Sequence, residues 1–386
     1  MKILAVGGGS GGHVTPVVAV LRELKKQQPK TEIRFWCDKK FYTQAKSIVH
    51  HFDSSIPVDK VIAGKLRRYH SLPLWRQITQ PTRILLPNLR DIFLVGVGTI
   101  QSFFKLVIWR PDVEFTKGGF VCLPVGMAAW ALRIPLVIHD SDAHPGLTNR
   151  ILARWATKIA TGAPLKYYPY PKDKARYIGI PIAGEFTPFS IEAKRQAKQK
   201  LGFDPDRPLV VITGGGLGAK RINDASAQAL DALLPVTSVL LISGMAQYDE
   251  LRAITPQADS RFQLHSFVSN GMATMLGAAD IAVARAGATT ILELAALATP
   301  TILIPNAYLT GGHQLKNAKV YSDAKAVVVV NEDDMMADAG HLGLAIKSLL
   351  AETSDRTRMA KSFHSFSKPT AAKDMAEMIL TAVKSR

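Results

Sequence analysis

The sequence predicts an α/β protein of two doubly wound, parallel-sheet halves. Three observations carry this. A strand, loop and helix recur in that order along nearly the whole chain. The order restarts once, so that each half opens with an apolar run and a glycine loop, Gly7–Gly12 and Gly214–Gly218. The chain has 386 residues, long enough for two domains. Residues 167–188 are rich in Tyr, Pro and Gly and have little periodicity, which makes them the candidate linker.

In the first half, Ile3–Val6 reads as a strand and Val17–Lys26 as its helix. Glu32–Cys37 is a second strand, ending at Asp38, and Phe41–Val49 a short helix. Lys60–Ala63 is a brief strand. Val113–Thr116 and Leu136–His139 are further strands, followed by helices through Leu132 and over Leu147–Trp155, and Ile159–Ala160 closes the series. In the second half a helix near Ile191–Leu201 precedes strands at Leu209–Thr213, Val239–Ile242, Phe262–His265, Ile281–Ala284, Thr301–Ile304 and Ala326–Val330. Ala219–Leu234 is the helix after the second glycine loop. Beyond Pro369, Met375, Met378, Ile379 and Val383 keep helical spacing.

Charge divides the halves. Net charge is +17; residues 1–182 hold 27 Lys+Arg against 11 Asp+Glu, and residues 183–386 hold 21 against 20. A basic first half suits an anionic membrane or nucleic acid. No helix-turn-helix, zinc-finger or RNA-binding signature appears, so nucleic acid is not expected. From Lys65 to Arg110 there are eight cations and one acid, Asp91, among many apolar and aromatic residues. Arg67, Arg68, Trp75, Arg76, Arg83, Leu85 and Leu86 are the candidate membrane contacts. The most apolar stretch, Ile92–Trp109, contains Gln101, Ser102 and Lys105 and is about the minimum spanning length. It reads as a buried or interfacial segment, not a span. Two cysteines far apart, Cys37 and Cys122, point to a reduced cytosolic chain without a disulfide framework. The N-terminus is too short and too weakly charged for a signal peptide.

Gly7-x-Gly9-x-x-Gly12 matches the dinucleotide fingerprint, with Asp38 as the ribose acid, so an NAD-binding reading stays open at this point. Neither glycine loop is a Walker A motif. His13 stands at a helix N-terminus, which keeps an imidazole neutral and able to accept a proton. Asp140-x-Asp142, flanked by His139 and His144, could hold a divalent metal, but it lacks a clear further ligand; no obligatory metal or cofactor is expected. Arg285-Ala286-Gly287-Ala288-Thr289-Thr290 follows a strand and opens a helix with Glu293 one turn on. That is an anion site with a carboxylate placed for two vicinal hydroxyls. Gly311-Gly312-His313-Gln314-x-x-Asn317 adds amides suited to sugar hydroxyls.

With these pieces in place, the chain resembles glycosyltransferase family 28. The likeness runs nearly end to end and rests on Gly8–His13, Gly118-Gly119-Phe120, His139-Asp140 with Gly146–Asn149, Gly215–Asn223 and Arg285–Glu293. The resemblance implies the GT-B architecture, two Rossmann-like domains facing a cleft. It implies inverting transfer of N-acetylglucosamine from UDP-N-acetylglucosamine to lipid I, an undecaprenyl-diphosphate-linked muramoyl peptide, giving lipid II at the cytoplasmic face of the cell membrane. The acceptor and membrane domain would be residues 1–182, with the helix of residues 369–386 crossing back to it. The donor domain would be residues 183–368. Donor contacts would come from Gly215, Gly216, Gly218, Asn223, Val268, Arg285, Gly287, Ala288, Thr289, Thr290, Glu293, His313 and Gln314. Acceptor contacts would come from Ser10, Gly11, Gly12, Gly118, Gly119 and Phe120. His13 would be the general base, with His139, Asp140 and Asp142 as alternatives. Several positions depart from the family's pattern: Phe120 for Tyr, Asp140 for Glu, Asp142 for Asn, Ala183 for Arg, Gly216 for Ser, Leu217 and His313 for Gln. A relative acting on another glycolipid and a non-catalytic nucleotide-sugar-binding relative therefore fit as well.

Overall fold

A computed structural model describes residues 1–9, 11–66, 84–216, 218–268, 270–308, 312–338 and 340–384. The chain forms two compact units, Met1–Ala183 with Lys368–Arg386, and Gly184–Ser367.

The first unit is built on seven parallel strands: β1 Lys2–Val6, β2 Glu32–Asp38, β3 Val58–Val61, β4 Val113–Thr116, β5 Leu136–Asp140, β6 Lys158–Thr161 and β7 Ala175–Tyr177. Their order is β3-β2-β1-β4-β5-β6-β7. Helices α1 Gly11–Gln27, α2 Tyr42–Phe52, α3 Leu86–Ile108, α4 Cys122–Ala131 and α5 Leu147–Leu152 connect them. The central strands are buried, as in a sheet covered on both faces; β1 is apolar from Ile3 to Val6 and β5 from Leu136 to Ile138, while β4 carries Glu114 and Thr116 between its apolar residues.

Two departures from the sequence reading matter. The segment read as a linker contributes β7, which pairs with β6 (Ile159 to Ala175, Thr161 to Tyr177). A three-residue edge strand is too short to show alternation. Helix α1 starts at Gly11, six residues before the expected Val17, and carries Pro16 inside it. Proline can stand near a helix start, and that made the true start look like loop.

In the second unit α6 Ile191–Lys200 leads into β8 Leu209–Thr213. There follow α7 Lys220–Leu233, β9 Ser238–Ile242, α8 Tyr248–Ile254, β10 Phe262–His265, α9 Met272–Ala278, β11 Ile281–Ala284, α10 Ala288–Ala296, β12 Thr301–Leu303, α11 His313–Ser322 and β13 Val328–Val329. Helices α12 Glu332–Ala337, α13 His341–Ala351 and α14 Thr353–His364 complete it. The six strands are parallel, in the order β10-β9-β8-β11-β12-β13. The last helix, α15 Ala371–Lys384, belongs to the first unit. Met375, Ala376, Ile379 and Ala382 are fully buried in a core shared with Leu21, Phe35 and Phe115.

Helix α3 has an unusual polarity. Asp91, Val95, Gly98, Ser102 and Leu106 face inward at helical spacing. A Cβ on Gly98 would lie 1.9 Å from the Ile62 carbonyl oxygen, so glycine is what allows the helix to seat on the chain after β3. Outward stand Leu86, Leu89, Ile92, Phe93, Ile100, Phe104, Val107 and Ile108, all more than half exposed.

Candidate functional site

In a doubly wound sheet ligands bind beyond the strand C-termini, where strand order reverses. In the second unit that point lies between β8 and β11. The loops leaving those strands are Gly214–Ala219 and Arg285–Gly287, both singled out by sequence.

The first of these is a tight backbone cradle. Gly215 N–H donates to Thr213 Oγ1 (3.1 Å) and Gly218 N–H to the Gly215 carbonyl (2.9 Å). Gly218 has φ +76°, and a Cβ there would lie 2.1 Å from the Ser243 carbonyl oxygen, so only glycine fits. Around Gly215 and Gly216 the space is open. Asn223 has a different place from the one expected. It is fully buried, and its Nδ2 donates to the Ser243 carbonyl (2.9 Å) and Gln247 Oε1 (2.8 Å). Its amide nitrogen is thus committed to the loop after β9, so it braces the cradle.

At the second loop, Gly287 is extended (φ −73°, ψ 130°) and caps the nine-residue helix α10. The first amides of that helix have no partners within it. Open space surrounds Gly287, and Ala288, Thr289, Thr290 and Glu293 are half-buried. Arg285 is a correction. Its guanidinium is buried and donates to the Ile304 carbonyl (3.2 Å) and Glu332 Oε1 (2.5 Å). Glu332 also receives Arg221 (3.2 Å). Arg285 thus ties the loops after β11 and β12 together; it supports the site. The α11 helix does the same from its side. Gln314 Oε1 accepts from Asn306 N–H (2.9 Å), and Asn317 Nδ2 donates to the Ala286 carbonyl (3.1 Å). His313 is half-buried in the first turn of that helix, and Val268 is half-buried after β10.

In the first unit the order reverses between β1 and β4. The Gly7–Gly12 loop leaves β1; Lys117, Gly118, Gly119 and Phe120 leave β4. Gly118 and Gly119 both have positive φ, +86° and +87°. The Phe120 ring lies 3.1 Å from where a Gly9 Cβ would stand. Asp38 is buried and accepts from Gly9 N–H (2.7 Å), Lys40 N–H (3.0 Å) and Phe41 N–H (3.1 Å). Both its oxygens are spent on backbone, which removes the ribose acid that the dinucleotide reading needed.

The alternative bases separate clearly. His139 is fully buried; Nε2 lies 2.7 Å from the Gly179 carbonyl and Nδ1 3.3 Å from Ser141 Oγ. It is a structural histidine, not a proton acceptor for substrate. Asp140 is 3% exposed and accepts from Tyr170 O–H (2.7 Å). Burial pushes its carboxyl up to about 7, the Tyr170 hydrogen bond opposes this, and the Asp142 charge adds to it. Asp142 is half-buried, and its carbonyl accepts from Tyr168 O–H (2.7 Å). Among the described residues no group of three or more His, Cys, Asp or Glu could hold a metal ion. Ser10, Arg67, Arg68, Trp75, Arg76 and Arg83 lie outside the described residues, as does the side chain of His13. Leu85 and Leu86 are exposed at the start of α3. Sequence reasoning missed Lys117, which directly precedes Gly118-Gly119-Phe120, and Glu332, a lone acid at the start of α12 with no motif around it.

Two parallel-sheet units, each with a glycine loop and a helix start at its switch point, form the arrangement with which α/β proteins hold phosphorylated ligands. Comparison with known proteins narrows the class. The family model described as glycosyltransferase family 28 N-terminal domain matches residues 3–161, and the family 28 C-terminal domain matches residues 209–375. A protein of Lachnospira eligens is 35% identical over 91% of each chain; it is named UDP-N-acetylglucosamine--N-acetylmuramyl-(pentapeptide) pyrophosphoryl-undecaprenol N-acetylglucosamine transferase. The chain belongs to glycosyltransferase family 28 and is a glycosyltransferase. Among solved structures, Acinetobacter baumannii MurG superposes with a TM-score of 0.72 at 23% identity, covering 98% of this chain and 99% of that one. The UDP-GlcNAc 2-epimerase of Neisseria meningitidis, bound to UDP-GlcNAc, gives 0.66 at 14% identity, covering 99% and 100%. The GT-B architecture expected from sequence is the one found.

Proposed function

We propose that the protein transfers N-acetylglucosamine from UDP-N-acetylglucosamine to lipid I, forming lipid II, with inversion at the anomeric carbon. The observation that carries this is the switch point of the second unit. There an open glycine cradle and the α10 N-terminus converge, with Glu293 one turn along the helix. The glycine loops of the two halves, Gly7–Gly12 and Gly214–Gly218, and the name borne by the Lachnospira relative agree with it.

In the reaction the acceptor hydroxyl oxygen bonds to the anomeric carbon as the bond to the diphosphate breaks. The hydroxyl proton passes to a base, for which His13 in the first turn of α1 is the choice, and UDP leaves with the electron pair. Negative charge grows on the diphosphate. Amides at Gly215–Gly216 and Gly287–Thr290, aligned with the positive end of α10, stabilise it. Glu293 accepts the ribose hydroxyls. The first unit holds the acceptor diphosphate at Gly8–Gly12 and Gly118–Phe120. The outward apolar face of α3, with Arg90 and Lys105 on the same helix, rests on the anionic inner surface of the cell membrane.

The test is Glu293→Ala. Losing charged hydrogen bonds to a ribose raises the donor KM by about tenfold or more, with the acceptor KM little changed. A donor KM equal to that of the parent removes Glu293 from the donor site.

A further inference from the structure

Helix α3 carries two glycines, and packing explains only Gly98, which faces inward against the Ile62 carbonyl and Pro124 of α4. Gly96 lies on the other side of the helix and is exposed; a Cβ there would meet nothing within 4 Å among the described residues. Glycine in a helix interior is unfavourable relative to alanine. A helix resting on lipid also gains from each apolar side chain it presents. Both demands disfavour glycine at this position. The surface neighbours of residue 96 are residues 92, 93, 99 and 100. Ile92, Phe93 and Ile100 are more than half exposed, so Gly96 leaves a notch in an apolar stripe. Its walls stand about 10–12 Å apart along the axis, at 1.5 Å per residue. The Thr99 hydroxyl donates to the Val95 carbonyl (2.8 Å), so its hydrogen is spent within the helix. One turn and a half earlier, Arg90 has a side chain 71% exposed, while Asp91, the only acid of α3 and 3.6 Å from Arg90, is turned inward. Hydrocarbon walls beside a cation, with no outward carboxylate on the helix, complement a hydrocarbon chain that ends in a diphosphate. Gly98 fixes where the notch lies. It seats this turn on Pro124, four residues after Phe120, in the helix that leaves the Gly118–Phe120 loop.

We infer that the notch at Gly96 is a subsite for the polyprenyl chain of the acceptor, which crosses α3 between Phe93 and Ile100. This rests on reading the first unit as the site of a lipid-diphosphate acceptor. It goes beyond that reading by giving the chain a place of its own, distinct from the general contact of α3 with a membrane. A phospholipid acyl chain has the same hydrocarbon chemistry. The position of the notch, over the helix that leaves the acceptor loop, favours the chain of the acceptor itself.

The experiment fills the notch with Gly96→Leu in the full chain. It measures Tm, binding to anionic liposomes, and the acceptor KM in one detergent for two acceptors, undecaprenyl-linked lipid I and its geranyl-linked analogue. A leucine adds apolar surface and helix propensity, so Tm and liposome binding are expected to hold or rise. The ratio of the long-chain to the short-chain acceptor KM is expected to rise about tenfold or more, because only the long chain reaches the notch. Gly96→Ala, which fills it by one methyl group, should raise the ratio by a smaller factor and decides the matter if Gly96→Leu does not fold. An unchanged ratio in an active variant overturns the subsite and leaves the acceptor reading standing. An unchanged ratio with weaker liposome binding assigns the notch to phospholipid instead, which also overturns it. A parent protein that glycosylates neither acceptor refutes the lipid-acceptor reading itself, and the subsite with it.

Discussion

Glu114 shows how a single side chain can set a pH dependence. It lies in the middle of β4 and is fully buried, and among the described residues neither carboxylate oxygen has a hydrogen-bond partner. Burial holds its pKa well above the ordinary value, so it folds as the neutral acid. Asp140, raised to about 7, acts in the same direction. A folded pKa above the unfolded one contributes stability that is complete at acid pH and is lost as pH rises toward the folded value. Glu114→Gln should therefore gain in Tm relative to the parent as pH goes from 5 to 8, since the amide cannot ionise. Thermal melts across that range check it, and a difference constant with pH would show that burial does not raise the Glu114 carboxyl above its unfolded value. The residue scale is also where the sequence was least legible. Glycine loops announce themselves, because only glycine tolerates positive φ or a neighbouring backbone at contact. Gly218 could be read that way in advance. The roles of Asp38, Arg285 and Asn223 could not. Each has the residue type of a ligand contact, and only the partners (three backbone amides, Glu332, and the Ser243 and Gln247 oxygens) show that it supports the loops.

Among elements, α3 is the one whose character the sequence half revealed. Its hydropathy and length were plain: it is long and apolar enough to cross a membrane. Which side packs inward was not, because the inner seam contains Asp91, Gly98 and Ser102 while the outer face carries phenylalanine and isoleucine. That pattern is the reverse of a helix that faces water. A helix packed on one side, with an outward apolar stripe, suits a membrane surface better than a span. Phe93 is 69% exposed and Phe104 62%, so replacing both with serine removes no core contact on that face. Each phenylalanine transferred from water is worth about 1.5–3 kcal/mol, and 1.4 kcal/mol is tenfold. The Phe93→Ser, Phe104→Ser variant should lose at least tenfold in binding to anionic liposomes while keeping its Tm. Undiminished co-sedimentation would remove α3 from the membrane contact. The strand β7 was missed for a simpler reason: it has three residues, and pairing to β6, not local pattern, makes it a strand, whereas β13 lies within the strand read at Ala326–Val330.

At the scale of the molecule, the two units have separate cores. One of them is discontinuous in sequence, because α15 returns to the first unit after the second has been completed. The last helix is therefore a structural part of the unit proposed to hold the acceptor. Met375 and Ile379 are fully buried within it, and truncating either to alanine costs about 2–5 kcal/mol. That cost falls on the first unit, whereas a ligand of the second unit stabilises only the state in which its own site is folded. UDP at a hundred times its Kd adds about 2.7 kcal/mol. Calorimetry of the full chain should then resolve two transitions: Ile379→Ala lowers one, and UDP raises the other. UDP moving the transition that Ile379→Ala lowers would place the nucleotide in the first unit and reverse the assignment of donor and acceptor. A shift of both together would mean that the units unfold as one, and that the boundary at Ala183 and Gly184 divides packing but not stability.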